Sequence, residues 1–196
     1  MALNEPVYIE SFKKGLLKKK AEAAWDILKS CVLCPRKCGV DRQSGETGVC
    51  KTGMNALVSS YNPHFGEEAP LVGSHGSGTI FFTHCNLLQN FDISHQGYGE
   101  EISNEQLADL MLQLQNLGCH NINFVTPTHI VPHILKALEV AVKEGLSVPL
   151  EEYLKVYLIF ICPILNFGAL ITRSSHVMPK IIRKWPETRS SRCIAK

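Results

Sequence analysis

The chain has 196 residues, 45% of them hydrophobic, enough to bury one core of domain size. Its formal net charge is +2, and no long basic run is interleaved with aromatics, which excludes the electrostatic footprint of a nucleic-acid binder. The lysine cluster at Lys13, Lys14, Lys18, Lys19 and Lys20 reads as a solvated helix face. No apolar stretch follows a basic start in residues 1–10, so the expected location is cytoplasmic. In that reducing compartment eight cysteines point to metal binding or redox work rather than to a disulfide framework.

Residues 11–29 carry Phe12, Leu16, Trp25 and Leu28 at rough helical spacing, which predicts an amphipathic helix leading to Cys31. Residues 31–53 are rich in Gly and Cys and have no sustained period, the pattern of a segment held by a metal rather than by a core. Residues 56–60 read as a short strand followed by a loop through Asn62 and Pro63. The Gly-led apolar run 76–83 predicts a buried strand ending at His84 and Cys85. A helix over 103–117 follows, with Ser103 as N-cap, Gln106 three residues on, Leu107, Leu110 and Leu114 as its apolar stripe, and Gly118 as its stop. A second strand at 121–125, a second helix at 130–144 closed by Gly145, and a third strand at 146–150 complete the pattern. Strand and helix alternating at this spacing predict an α/β fold with a parallel sheet and right-handed crossovers.

After Leu150 the alternation stops. Residues 156–171 are a nearly continuous apolar run broken by Cys162, Pro163 and Asn166, and the stretch from Thr172 is basic and aperiodic. The run is shorter than the ~20 residues of a membrane span, so the expectation is a buried or poorly folded tail rather than an anchor. The sequence thus divides into an N-terminal helix and Cys-rich segment (1–55), an α/β part (56–150) and a divergent tail (151–196).

Cys31, Cys34, Cys38 and Cys50 place four thiols within one loop whose Gly39, Gly45, Gly48 and Gly53 free the chain to wrap around a centre. Four thiolates suit zinc and an iron–sulfur cluster equally, because both accept soft sulfur ligands in a tetrahedral arrangement. Such a closed set is a structural site, since it leaves no open position for a substrate.

The block Cys31-x-x-Cys34-Pro35-Arg36-x-Cys38, with Gly45-Glu46-x-Gly48-x-Cys50, precedes Ser77-Gly78-Thr79-Ile80-Phe81-Phe82 leading into Cys85-Asn86-Leu87. Gln89-Asn90, Ile93-Ser94 and Asn121-x-Asn123-x-Val125-Thr126-Pro127-Thr128-His129 follow in order. Together they resemble the radical SAM proteins related to pyruvate formate-lyase activating enzymes, over about Tyr8 to Leu150. The resemblance implies a partial (β/α) barrel. It further implies a C-x-x-x-C-x-x-C motif at the end of its first strand, with three thiolates holding a [4Fe–4S] cluster whose open iron binds S-adenosylmethionine for radical cleavage. It places Cys85 on the cluster, puts Thr126, Thr128 and His129 at the edge that holds the adenosyl ligand, and suggests a protein as substrate. A Thr-Pro turn capping the next helix is the competing local reading of that edge.

The chain departs from this pattern twice. Only Cys85 of the motif is present, because Asn86-Leu87-Leu88 alone separates it from Gln89 where the family pattern has seven residues. Four residues are missing while the downstream match stays in register, as a short internal deletion would leave it. The barrel repeats expected after Leu150 are also replaced by the tail. Cys119 cannot substitute, since it precedes the second strand while Cys85 follows the first, at opposite ends of parallel strands; it reads as a small buried hydrophobe. The resulting expectation is a Cys-rich metal-binding loop followed by a truncated radical SAM-like partial barrel, impaired in S-adenosylmethionine cleavage. The alternative is a non-catalytic Cys-rich metal-binding module.

Overall fold

The computed structural model describes residues 5–84, 93 and 96–150. Two helices stand where one was expected: α1 (Val7–Lys13) and α2 (Leu16–Asp26), the latter continued by a 3-10 turn, Ile27–Ser30. Gly15 separates them in the left-handed region, φ 66°, which glycine adopts without steric cost. Helix α2 buries Leu17, Ala21 and Ala24, a narrow stripe at helical spacing.

Among the described residues four strands form one sheet: β1 (Ala56–His64), β2 (Ser77–Phe82), β3 (Glu100–Ile102) and β4 (Ile122–Val125), in the order β3-β1-β2-β4. Strands β2 and β4 are parallel, with Gly78 opposite Ile122 and Phe81 opposite Val125. Strand β1 is antiparallel to both its neighbours, so the sheet is mixed and the all-parallel expectation is corrected. Strand β1 also runs on through Asn62 and Pro63, which were expected in a loop. Its pairing with β3 stops at Val58, so its later residues form an edge on that side, where a residue lacking an N–H is tolerated. The short helix α3 (Ala69–Val72) lies in the β1–β2 connection.

From β2 the chain reaches β4 through β3 and helix α4 (Asn104–Asn116). At the start of α4 the Ser103 hydroxyl accepts from the Gln106 amide at 3.2 Å, and the Gln106 side chain accepts from the Ser103 amide at 2.8 Å, the reciprocal box expected from the sequence. Leu107 and Leu114 are fully buried and Leu110 packs at the margin of the core. Gly78 sets how closely β2 and β4 approach: a Cβ there would lie 2.8 Å from the Asn121 carbonyl oxygen.

Helix α5 (Val131–Lys143) packs against α2 and α4 and buries Ile134, Leu135, Ala137 and Leu138. With Ile80, Phe82, Met111, Ile122 and Phe124 these residues make one continuous core, in which the Phe82 and Phe124 rings stack at 6.1 Å. Where the third strand was expected to start, the described residues show one parallel bridge, Ile122 to Leu150, with the Ile122 amide donating to Pro149 at 2.9 Å. Tyr8 donates its hydroxyl to the Val148 carbonyl at 2.7 Å and so ties α1 to this end of the fold.

Cys85, Asn86, Leu87, Gln89, Asn90, Ser94, His95 and the whole 151–196 tail, with Cys162 and Cys193, lie outside the described residues. Among the described residues no helix is long and apolar enough to cross a membrane. Replacing Ser103 by Ala removes one arm of the α4 capping box and should lower stability by about 1 kcal/mol. Urea denaturation should show this as a lower midpoint at unchanged slope.

Candidate functional site

The Cys-rich loop is irregular, as its composition dictates, but it is not structureless. The Cys31 amide donates to Val40 at 3.0 Å and Gly39 donates back to Cys31 at 2.9 Å, closing the loop on itself. A turn with Lys37 donating to Cys34 at 3.0 Å lies between, and Lys37 and Gly39 take positive φ. The second arm of the loop returns onto the first, since a Cβ on Gly48 would sit 2.9 Å from Cys38 Sγ. Cys31, Cys34, Cys38 and Cys50 are all free thiols. Among the described residues, no three His, Cys, Asp or Glu side chains are gathered into a group able to hold a metal ion. The turns bring the loop's two arms together.

Part of the loop has a core of its own. Leu28, Cys31 and Leu33 are buried together, with Trp25, Ile27 and Val40 packed around them. Its opening residues are therefore fixed by apolar contact, which the missing period of the sequence did not suggest.

Arg42 carries the remainder. It opens a 3-10 turn, Arg42–Ser44, whose N-cap Asp41 accepts from the amides of Gln43 and Ser44. Its side chain has no exposed surface. Nη1 donates to the His129 carbonyl at 2.8 Å and Nε to the Gly53 carbonyl at 3.2 Å, while Nη2 has no partner among the described residues. Two buried histidines lie on the far side: His129 Nε2 meets the Thr83 carbonyl at 2.9 Å, and His133 Nε2 meets the Met54 carbonyl at 3.1 Å. Because each acceptor is a carbonyl, each Nε2 carries the proton and donates. Among the described residues neither Nδ1 has a well-aligned hydrogen-bond partner, although the backbones of Thr126 and Ile130 lie close enough to favour the protonated rings slightly. Burial first, and the Arg42 charge second, push His129 down to about 4 and His133 down to about 3. The Trp25 ring meets the His133 ring edge-on at 5.1 Å.

The residues that follow β2 and β4 occupy the C-terminal ends of the two parallel strands. Thr126 and His84 are both left-handed, φ 60° and φ 59°, an uncommon conformation that a β-branched threonine adopts only under strain. Thr126 directs its hydroxyl to the Val125 carbonyl at 2.6 Å and does not cap the 3-10 turn Pro127–His129. Thr128 and His129 are buried, at 9% and 4% exposure, so they face the interior rather than an open cleft. The His84 ring lies over Gly97, where any Cβ would collide with it. Partial burial, and then Lys51 of the Cys-rich loop, lower the His84 pKa. At the opposite end Cys119 is buried and its thiol faces the His75 carbonyl, as expected of a small hydrophobe.

Of the expected site residues, the structure thus brings Thr126, Thr128 and His129 to one pole beside the Cys-rich loop, and Cys85 lies outside the described residues. Sequence reasoning missed Arg42, His133 and Thr83. Arg42 carried a faint signal, an arginine behind a turn-forming aspartate inside a cysteine loop. His133 carried none.

Comparison with known proteins gives one relative of note, an uncharacterized protein of Methanocaldococcus jannaschii, MJ0674. It is 33% identical over 162 residues, which cover 76% of this chain and 46% of that protein. The chain therefore spans about half the length of the curated relative it matches. No family model matches the chain, and no solved structure matches it.

Two outcomes follow from this geometry. The folded-state pKa values of His129 and His133 lie below their ordinary value of 6.5, so the unfolded chain takes up these protons first. The stability they contribute is complete above about pH 6.5 and is lost as pH falls toward 4, amounting to about 3 kcal/mol per histidine at pH 4. Denaturant midpoints measured between pH 7 and pH 4 should fall accordingly, and His133→Phe should flatten that dependence. At Thr126, glycine relieves the left-handed strain of a β-branched residue. Thr126→Gly should raise the unfolding free energy by about 1 kcal/mol, and Thr126→Val should not.

Proposed function

We propose that this chain is a radical SAM-like metal-binding protein in which the 31–53 loop is the metal-binding part and the strand-end pole does not cleave S-adenosylmethionine. The observation that carries the reading is the construction of the loop. Four free thiols ride on a backbone whose turns pair Cys31 with Gly39 and Val40 and fold Gly48 onto Cys38. Its donor chemistry, soft sulfur alone, fits zinc or an iron–sulfur centre. A metal would have to draw these sulfurs together, since no three ligating side chains form a group among the described residues. When bound, the metal would supply a cross-link of the loop and, if it were an iron–sulfur cluster, a one-electron couple as well.

The residues present do not fit the second cluster that the resemblance implies. The sequence supplies Cys85 alone of its three thiolates, Cys119 lies at the other end of the strands, and Thr128 and His129 are buried. No reaction step is assigned to S-adenosylmethionine. A protein substrate belongs to the radical SAM-like ancestry and carries over only with it.

A second reading, a non-catalytic Cys-rich module whose loop serves stability or partner binding, is favoured by one observation. Cys31 is itself a core residue of the small apolar cluster.

Anaerobically purified protein should carry about one zinc or one iron–sulfur centre per chain, lost in the Cys34→Ser, Cys38→Ser double variant. Unchanged metal content in that variant would sink the proposal. Reduced wild-type protein should yield no 5′-deoxyadenosine from S-adenosylmethionine. Turnover would show the strand-end pole to be active after all.

A further inference from the structure

Arg42 joins the Cys-rich loop to the β4–α5 turn, whose His129 in turn reaches the end of β2. We propose that Arg42 is a positioning residue that clamps the loop to the strand-end pole, so that order at the loop thiols and order at Thr83, His84 and the Pro127–His129 turn form one coupled equilibrium. This deepens the metal-binding reading by giving that loop a route to the other site, and it rests on that reading only where metal is concerned.

A guanidinium is rarely found without exposed surface unless a carboxylate pairs with it, because its desolvation is otherwise uncompensated. Arg42 has no exposed surface and, among the described residues, forms no salt bridge. Its charge also lies beside the turn that opens α5, where a helix disfavours cations, and faces two neutral imidazoles. Simple packing would be better served by leucine or methionine. What only arginine provides is a rigid fork whose donors reach two separate carbonyls at once. Here those carbonyls belong to Gly53, which closes the Cys-rich loop, and His129, which is 87 positions away from Arg42.

The chain of contacts continues on both sides. The His129 imidazole passes the connection to the Thr83 carbonyl, one residue before the strained His84. The His133 imidazole adds a second tie from α5 to Met54, just after the loop. Releasing the loop therefore strips the Pro127–His129 turn of its charged donor, and loosening that turn removes an acceptor from Arg42. Coupling of this kind is reciprocal: whatever tightens one end must tighten the other.

Thiol chemistry reads the clamp without any metal. In metal-free protein under native conditions, alkylation is followed cysteine by cysteine, with buried Cys31 as reporter of the loop and buried Cys119, in the main core, as the internal control. Arg42→Lys keeps the charge and loses the fork, and should speed Cys31 labelling about tenfold while leaving Cys119 unchanged. His129→Gln, which alters the far side of the clamp, should speed Cys31 as well. The double variant should be little faster than the faster single variant, because both remove the same coupling. The proposal is overturned if Cys31 keeps its wild-type rate in Arg42→Lys, if the two effects simply multiply, or if Cys119 accelerates in parallel, which would be global loosening.

A second measurement uses the wild-type chain and covers variants that fail to fold. Zinc should slow hydrogen exchange at the His84 and Ile130 amides along with those of the loop. Protection confined to residues 31–53 would overturn the coupling. If zinc does not bind, the zinc form of the metal-binding reading fails, the iron–sulfur form is decided by the metal content above, and the labelling rates still decide the clamp.

Discussion

A charged group with no access to water has to be met by fixed acceptors, and in this fold that requirement organises everything around the Cys-rich loop. Arg42 reaches the carbonyls of Gly53 and His129 only if the loop turns back at Asp41 and Gly45, which is where the 3-10 turn places it. It also requires the turn after β4 to present its carbonyl inward. The left-handed Thr126 begins that turn by bending the chain sharply away from the strand direction. Burying the imidazoles beside it keeps them neutral, which avoids placing three positive charges in one dry space.

Local signals in the sequence were legible wherever a short motif acted alone. Ser103 and Gln106 mark the start of α4 because a capping box needs only four consecutive residues, and Gly118 and Gly145 mark the stops because left-handed backbone favours glycine. The buried β2 was legible from a Gly-led, mostly apolar run. Strand direction was not. The β1–β2 pairing is antiparallel although β2 and β4 repeat a βα pattern, and no residue type distinguishes the two in a strand that is only partly covered. The helix break at Gly15 was hidden because lysine-rich helical spacing continues across it. The buried roles of Arg42, His129 and His133 were hidden for a different reason. Polar residues with distant backbone partners leave no periodic trace, and Arg42 meets its acceptor 87 positions on.

The cysteines themselves show how spacing and packing can suggest different things about the same residues. By spacing, Cys31 belongs with Cys34, Cys38 and Cys50; by packing, it belongs with Leu28 and Leu33. The two roles are compatible in sulfur chemistry, since a thiol is apolar enough to join a core and becomes a ligand when it loses its proton to a metal. The strand ends pose a similar question. Thr126 and His84 hold strained backbone at neighbouring positions, and such strain persists only where the surroundings impose it. The packing of His84 on Gly97 and the hydrogen bonds around Thr126 are part of those surroundings.

The shortest strand bears on how copies of the molecule meet. Strand β3 closes one side of the sheet with three residues, of which Glu100 and Glu101 are exposed and Ile102 turns toward the core. An open strand edge ordinarily invites another chain to add to the sheet. Here a second copy approaching in the same manner would bring its own pair of carboxylates against these two, along an edge too brief to repay the repulsion with backbone hydrogen bonds. Among the described residues it is thus charge and brevity that discourage the sheet from growing on this side into an aggregate.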